Sequence, residues 1–393
     1  VANAADPERE IGELVVMRKS AYIQDFAIVC ALGNDAATVR KNLLSAEPQA
    51  LSGTAPLTSG RNVPVGVVSL APNGLDSRCN SMADHCLASL KPLPHGARVA
   101  VVIGTSSCGL AEGGVAFRAR NASGAWSTDF RFPMQEFGDV ANHLARRIGA
   151  TGPVFGISTA CTSGAKALAS AARLIETGLC DVALAGGFDA LCDLTLNGFD
   201  ALDSLDDAVC NPFSANRHGI NIGEGGALFV LSATPSPIRL AGWGESADAH
   251  HISAPDPEGK GAEAAMRLAL AQAGWSADAV DYINLHGTGT KLNDQMEAGA
   301  VFRVFGGGIP CSSTKPMTGH MLGAAGACEA AFTVMALDAG RLPAHLWDGV
   351  RDADLAPIRL VSAQGENSCL ARAMSCSYAF GGNNIAVVLE KTA

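Results

Sequence analysis

Apolar runs that stop abruptly at small polar residues punctuate this chain. "ARVAVVIGTSS" (97–107), "PVFGISTA" (153–160), "DVALAGGFDA" (181–190), "DYINLHGTGT" (281–290) and "GIPCSSTK" (308–315) each read as a buried strand entering a Gly/Ser/Thr loop. Between them, "SGAKALASAARLIETG" (163–178), "GAEAAMRLALAQAG" (261–274) and "GAAGACEAAFTVMALDAG" (323–340) predict helices. Strands alternating with helices predict an α/β protein with a largely buried sheet. The pattern also repeats weakly. In each half a strand ends in Gly/Ser/Thr ("VVIGTSS", "INLHGTGT"), and a second strand then runs through a loop into an alanine-rich helix. "LSATPSPIRLAGWG" (231–244) places two prolines between apolar runs and is the natural junction. Two related α/β halves, 20–235 and 236–393, are expected, with residues 1–19 as a peripheral extension.

Composition narrows the function classes. At 393 residues with 48% hydrophobic and 17% charged residues, the chain is long enough for ~2–3 domain-sized units and a large core. Its net charge is −10 with no lysine or arginine run, so no nucleic-acid partner is expected. Arg118, Arg120, Arg146 and Arg147 offer at most a local basic patch, and read first as solvated helix faces. The 12 cysteines fall singly, without CxxC spacing, which argues against both a zinc site and a disulfide framework. Such free thiols suit a reducing cytoplasm. No apolar run approaches the ~18 residues of a membrane span, and the first residues lack the basic-then-apolar order of a signal peptide.

Four stretches offer chemistry. Cys161, in "ISTACTSGAKAL", stands where a strand gives way to a helix; unpaired amides and the helix dipole there favour a thiolate, although a lone cysteine is equally a small core hydrophobe. His286 opens "HGTGTKLND", whose glycines let backbone approach a ligand closely; Asp294 and Glu297, three apart, share a face if that segment is helical. In "SSTKPMTGHMLGAAGA", Lys315 taken singly is a surface lysine and His320 a cap. "SYAFGGNN" puts Phe380 before a two-glycine turn.

Together and in this order, "TACTSGA", "HGTGT", "SSTKPMTGHMLGAAG" and "AFGGNN" resemble the elongating, Cys-His-His type of β-ketoacyl-acyl-carrier-protein synthase. "CNPFSANRHGINIGEGGALFVL" (210–231) adds to the likeness, which runs from about residue 20 to 390. The resemblance implies the thiolase-like fold, two duplicated α/β halves in a five-layer αβαβα arrangement. It implies Cys161 as acyl-accepting nucleophile, and His286 and His320 as hydrogen-bond donors to the malonyl thioester carbonyl. The backbone amides of Cys161 and Phe380 would form the oxyanion hole, with Phe380 gating the acyl pocket. Lys315 would supply positive charge near His320, supported by Glu297 and Asp294, while Thr288 and Thr290 line the phosphopantetheine channel. No metal or tightly bound cofactor is implied; the substrates ride on the phosphopantetheine of an acyl carrier protein. A homodimer or a heterodimer with a related subunit is implied as well.

Some positions depart from the family pattern. Thr162 follows the nucleophile where Ser is more common, Asn383 stands where Thr is usual, and the 53–80 region is short. Ordinary fatty-acid elongation and a polyketide- or polyene-type pathway both remain open. So do a thiolase or Cys-dependent acyl hydrolase on the same fold, with Cys376 near the position of a thiolase's second cysteine, and a non-catalytic partner subunit. Thiolases open a Cys-x-Gly turn, which Cys376 does not; non-catalytic partners lack the nucleophile, which this chain retains.

Overall fold

The structure, a computed structural model, describes residues 19–71 and 77–392, so most of the expected 1–19 extension lies outside the described residues. The first half contributes strands β1 (Ala21–Val29), β2 (Gly53–Pro56), β3 (Asn62–Val65), β4 (Val99–Gly104), β5 (Val154–Ile157), β6 (Val182–Asp189) and β7 (Gly225–Ser232). Its helices are α1 (Ala36–Leu43), α2 (Arg78–Ser89), α3 (Leu110–Ser123), α4 (Asp139–Ile148), α5 (Ser163–Glu176) and α6 (Asp193–Ala201). The second half contributes β8 (Ile238–Ala247), β9 (Tyr282–Asn284), β10 (Pro310–Ser312), β11 (Arg341–Leu342), β12 (Arg359–Leu360), β13 (Glu366–Asn367), β14 (Arg372–Ala379) and β15 (Asn383–Lys391). Its helices are α7 (Lys260–Ala273), α8 (Lys291–Phe305), α9 (Lys315–Thr318) and α10 (Ala325–Ala339).

Eleven strands join in the order β12-β10-β9-β14-β15-β8-β1-β7-β6-β4-β5. Outward from the centre, the two halves read β1-β7-β6-β4-β5 and β8-β15-β14-β9-β10, the same connectivity with the same parallel and antiparallel partners. The seam is a short antiparallel pairing of Ala21–Ile23 with Ile238–Leu240. The proline-bearing link between β7 and β8 is tied there by Ser236, whose hydroxyl donates to the Ile23 carbonyl at 2.6 Å.

Burial explains the composition of each element. β4, β6 and β7 are buried along their whole length, as continuous apolar runs require when both faces are covered. Helices α2 and α4 cover the outer face of the first half, and α7 and α8 that of the second. Helices α5 and α10 pack on each other between the two sheet halves and complete five layers. A helix in that central layer has no solvent face, and Ala325 to Leu337 of α10 are all buried. Close approach here needs small residues: a Cβ on Gly164 would lie 2.9 Å from Ala327, and one on Gly326 2.8 Å from Ala165.

Leu322–Ala339 is long and apolar enough to cross a membrane by length and composition, contrary to the reading that no run approaches that size. Its 89% burial inside the protein shows what the apolarity serves.

Candidate active site

Cys161 stands on a tight corner between β5 and α5. Ala160 turns the chain with φ +53°, a left-handed conformation that is strained for a residue bearing a Cβ. Ser163 secures the corner: its hydroxyl donates to the Ala160 carbonyl at 2.6 Å and accepts from the Thr159 amide at 2.9 Å. Thr162 contributes likewise, its hydroxyl donating to the Thr159 carbonyl at 2.7 Å, so the departure from Ser keeps a useful donor. The Cys161 sulfur lies 3.0 Å from His320 Nε2.

His286 follows β9, and its loop is held from behind. The Glu297 carboxylate accepts the amides of both His286 and Gly287 at 2.7 Å, and Asp294 accepts those of Gly289 at 3.2 Å and Phe213 at 2.7 Å. Neither carboxylate is solvated, although a charged pair on one helix face would ordinarily be so; both are fully buried. Gly287 is required where it stands, because a Cβ would come 2.6 Å from Ser313 and its φ is +39°. His320 is seated by the 210–231 segment: its amide donates to the Asn221 carbonyl at 2.7 Å and its carbonyl accepts from Gly223 at 3.0 Å. The His286 and His320 rings meet edge to face, centroids 5.1 Å apart.

Lys315 is 2% exposed, so it is not the surface lysine its local sequence implied. Its ammonium donates to the His286 carbonyl, lies 3.5 Å from His286 Nδ1 and pairs with Glu329 at 2.5 Å. Glu297 is not the residue that pairs with Lys315. Glu297 holds the histidine loop, and Glu329 is the direct counter-ion. The available signal for Glu329 was a glutamate set among small and apolar residues within α10.

Electrostatics sets the protonation states. Burial, then the nearby Lys315 charge, holds both histidines well below the ordinary imidazole range, so they are neutral near pH 7. Lys315 at Nδ1 of His286 leaves the ring proton on Nε2. Burial pushes the Cys161 thiol up to about 12 while Lys315 opposes it, so the resting sulfur keeps its proton within reach of His320.

A cavity of about 400 Å³ opens on Cys161, His286 and His320, and Thr288, Thr290 and Phe380 also line it. Lys315, Asp294 and Glu297 stand behind the lining. Phe380 begins the turn between β14 and β15, its ring 5.6 Å from that of Phe199, a lining residue that the sequence pattern had not singled out. Cys376 is fully buried in the core of the second half, away from this cavity. The ligand atoms of Cys161, His286 and His320 fall within 4.8 Å of one another, close enough for metal ligation on distance alone. A cation there would sit against the Lys315 ammonium, a poor environment for a metal.

Residues 82–235 match the family model "Beta-ketoacyl synthase, N-terminal domain" and residues 238–347 match "Beta-ketoacyl synthase, C-terminal domain". A ketosynthase from Xenorhabdus doucetiae, solved in complex with its chain length factor, superposes with a TM-score of 0.90 at 41% identity, covering 95% of this chain and 98% of that one. The chain belongs to the beta-ketoacyl synthase family. Its thiolase-like fold agrees with that membership. Nodulation protein E of Rhizobium meliloti is 41% identical over 266 residues, 64% of this chain and 65% of that protein. The mitochondrial 3-oxoacyl-[acyl-carrier-protein] synthase of Arabidopsis thaliana is 37% identical over 274 residues, 63% of this chain and 59% of the relative. The chain thus spans less than two thirds of the length of these two curated relatives.

Proposed function

We propose that this ketosynthase-family chain catalyses decarboxylative Claisen condensation of an acyl group with malonyl-acyl carrier protein, giving 3-oxoacyl-acyl carrier protein. The observation that carries the reading is Cys161 Sγ 3.0 Å from His320 Nε2, with the His286 ring beside it at the base of one cavity. In the first half-reaction the Cys161 sulfur attacks the carrier thioester carbonyl as its proton passes to His320. The carrier thiolate leaves and takes that proton, so the acyl group rests on sulfur and His320 is neutral again. Malonyl thioester then loses CO₂, and the released electron pair becomes an enolate whose oxygen accepts from Nε2–H of His286 and from His320, which presents Nε2–H once its ring proton has moved from Nδ1 to Nε2 through solvent. Neutral imidazoles suit this role, being fixed donors. The enolate carbon attacks the acyl-Cys161 carbonyl, with the Cys161 and Phe380 amides as oxyanion donors. The sulfur departs as thiolate and recovers a proton.

In this reading Thr288 and Thr290 line the channel for the phosphopantetheine arm, Phe380 gates the acyl pocket, and Lys315, Glu297 and Asp294 support the histidine loop. No bound cofactor is called for. The repeated strand order and the two family models meeting near 235 support a division into halves at 235/236. The relative solved with a chain length factor favours a heterodimer with a related subunit over a homodimer. Twelve unpaired cysteines favour a reducing compartment, the cytoplasm. The thiolase alternative loses support because Cys376 does not reach the cavity. Intact-mass measurement after mixing with an acyl-carrier thioester tests the proposal. One acyl adduct is expected, lost in Cys161→Ala and converted to 3-oxoacyl-carrier by malonyl-carrier. An adduct that only hydrolyses during that chase would refute condensation.

A further inference from the structure

Asn383, one of the positions that depart from the family pattern, has a specific partner. Its side-chain oxygen accepts from Lys166 Nζ at 3.0 Å. Lys166 lies on α5, little more than one turn beyond Cys161, between Ala165 and Ala167. Its side chain is 13% exposed. Its acidic neighbour, Glu245, is 3.9 Å from the ammonium and is already engaged by Arg173. Asn383 directly follows the Phe380–Gly382 turn, so the bond spans from the nucleophile helix of one half to the glycine turn of the other.

The turn has further hydrogen-bonded anchors, none on α5, among them the Asn384 side-chain amide, which donates to the Gly382 carbonyl at 3.2 Å. The Gly381 amide donates to the Ile252 carbonyl at 2.7 Å, and the Gly382 carbonyl accepts from Asp248 at 2.8 Å. Both tie the turn to the segment after β8, within its own half. Gly381 and Gly382 take φ +81° and +74°, and backbone of that kind has little stiffness of its own. Among the described residues, the Lys166 bond is the side-chain hydrogen bond that joins this stretch to the helix on which Cys161 is mounted.

We propose that Lys166 and Asn383 form a strut that sets the spacing between the Cys161 and Phe380 amides, making Lys166 a positioning residue for acyl transfer. This rests on the condensing-enzyme reading above. A strut of this kind acts where the two amides converge on one oxygen, and not where the histidines hold the enolate. Two reactions of the same preparation separate these effects. One is single-turnover acylation of Cys161 by an acyl-carrier thioester, read by intact mass. The other is CO₂ release from malonyl-carrier without an acyl donor, which draws on His286 and His320.

Lys166→Met is expected to slow acylation about ten-fold, since a misplaced group of order 1 Å costs up to ~10²-fold, while CO₂ release stays within about two-fold. Lys166→Arg and Asn383→Asp keep a donor and an acceptor, and should acylate within about three-fold of the unaltered chain. Equal losses in both reactions would mean a merely structural lysine and overturn the strut. So would acylation by Lys166→Met at the unaltered rate. If the unaltered chain forms no adduct at all, the condensing-enzyme reading falls and the strut falls with it.

Discussion

Removing one partner of the Lys315–Glu329 pair should unfold much of what holds the site, and removing both should not. The two groups are 2.5 Å apart and each side chain is 2% exposed. With an effective dielectric of ~20 their gross attraction is about 7 kcal/mol, largely offset by the desolvation of both ions. Lys315→Met leaves a buried carboxylate whose second oxygen already has no hydrogen-bond partner among the described residues, and should cost about 3–5 kcal/mol. Lys315→Met/Glu329→Leu removes both charges and should recover most of that loss, measured as the urea midpoint. Activity should not recover, because His286 Nδ1 loses its donor in both variants. The sign with pH adds a second reading. Burial already raises the Glu329 carboxyl, and without Lys315 it rises further. A carboxyl raised in the folded state is favourable below its unfolded pKa and unfavourable above its folded one. The Lys315→Met penalty should therefore be smaller at about pH 5 than at about pH 8. Additive losses in the double variant, or a single-variant loss below about 1 kcal/mol, would refute the argument.

Three other outcomes are expected. His286→Ala or His320→Ala should each lower the condensation rate by ~10²–10³-fold while leaving the acyl adduct on Cys161 detectable, checked by single-turnover kinetics. Burial holds His345 down at about 4, and its ring bridges the Ser313 amide and the Pro212 carbonyl. Its folded pKa lies below the unfolded ~6.5, so stability is complete above that value and falls by up to about 3 kcal/mol as the pH drops toward 4. His345→Gln should flatten that part of the acid limb in a pH series of urea midpoints. Gly164→Ala forces a Cβ to within 2.9 Å of α10 and should cost about 1–3 kcal/mol, seen as a lowered Tm with slower Cys161 acylation.

The chain by itself determined the buried strands around the site and the central helices. β4, β6, β9 and β10 and helices α5 and α10 fall where apolar runs end in small polar loops, because elements covered on both sides need continuous apolar sequence. By contrast β5, expected as a buried strand, is a half-exposed edge strand, and α7 keeps a solvent face. The elements it left unread, such as β1, β8 and α2, carry mixed apolar and polar patterns that a period cannot separate from loop. The active residues were legible as motifs in order, yet the charges behind them were not. Glu297 and Glu329 are both glutamates near a helical stretch, and only folding brings one to the histidine loop and the other to Lys315. Likewise Lys166 and Asn383 are 217 residues apart, and no local pattern links them. A hydrophobic period is written along the chain because burial is a property of each residue in turn. A counter-ion is a property of a pair, and the partner is chosen only when the sheet halves close on α5 and α10.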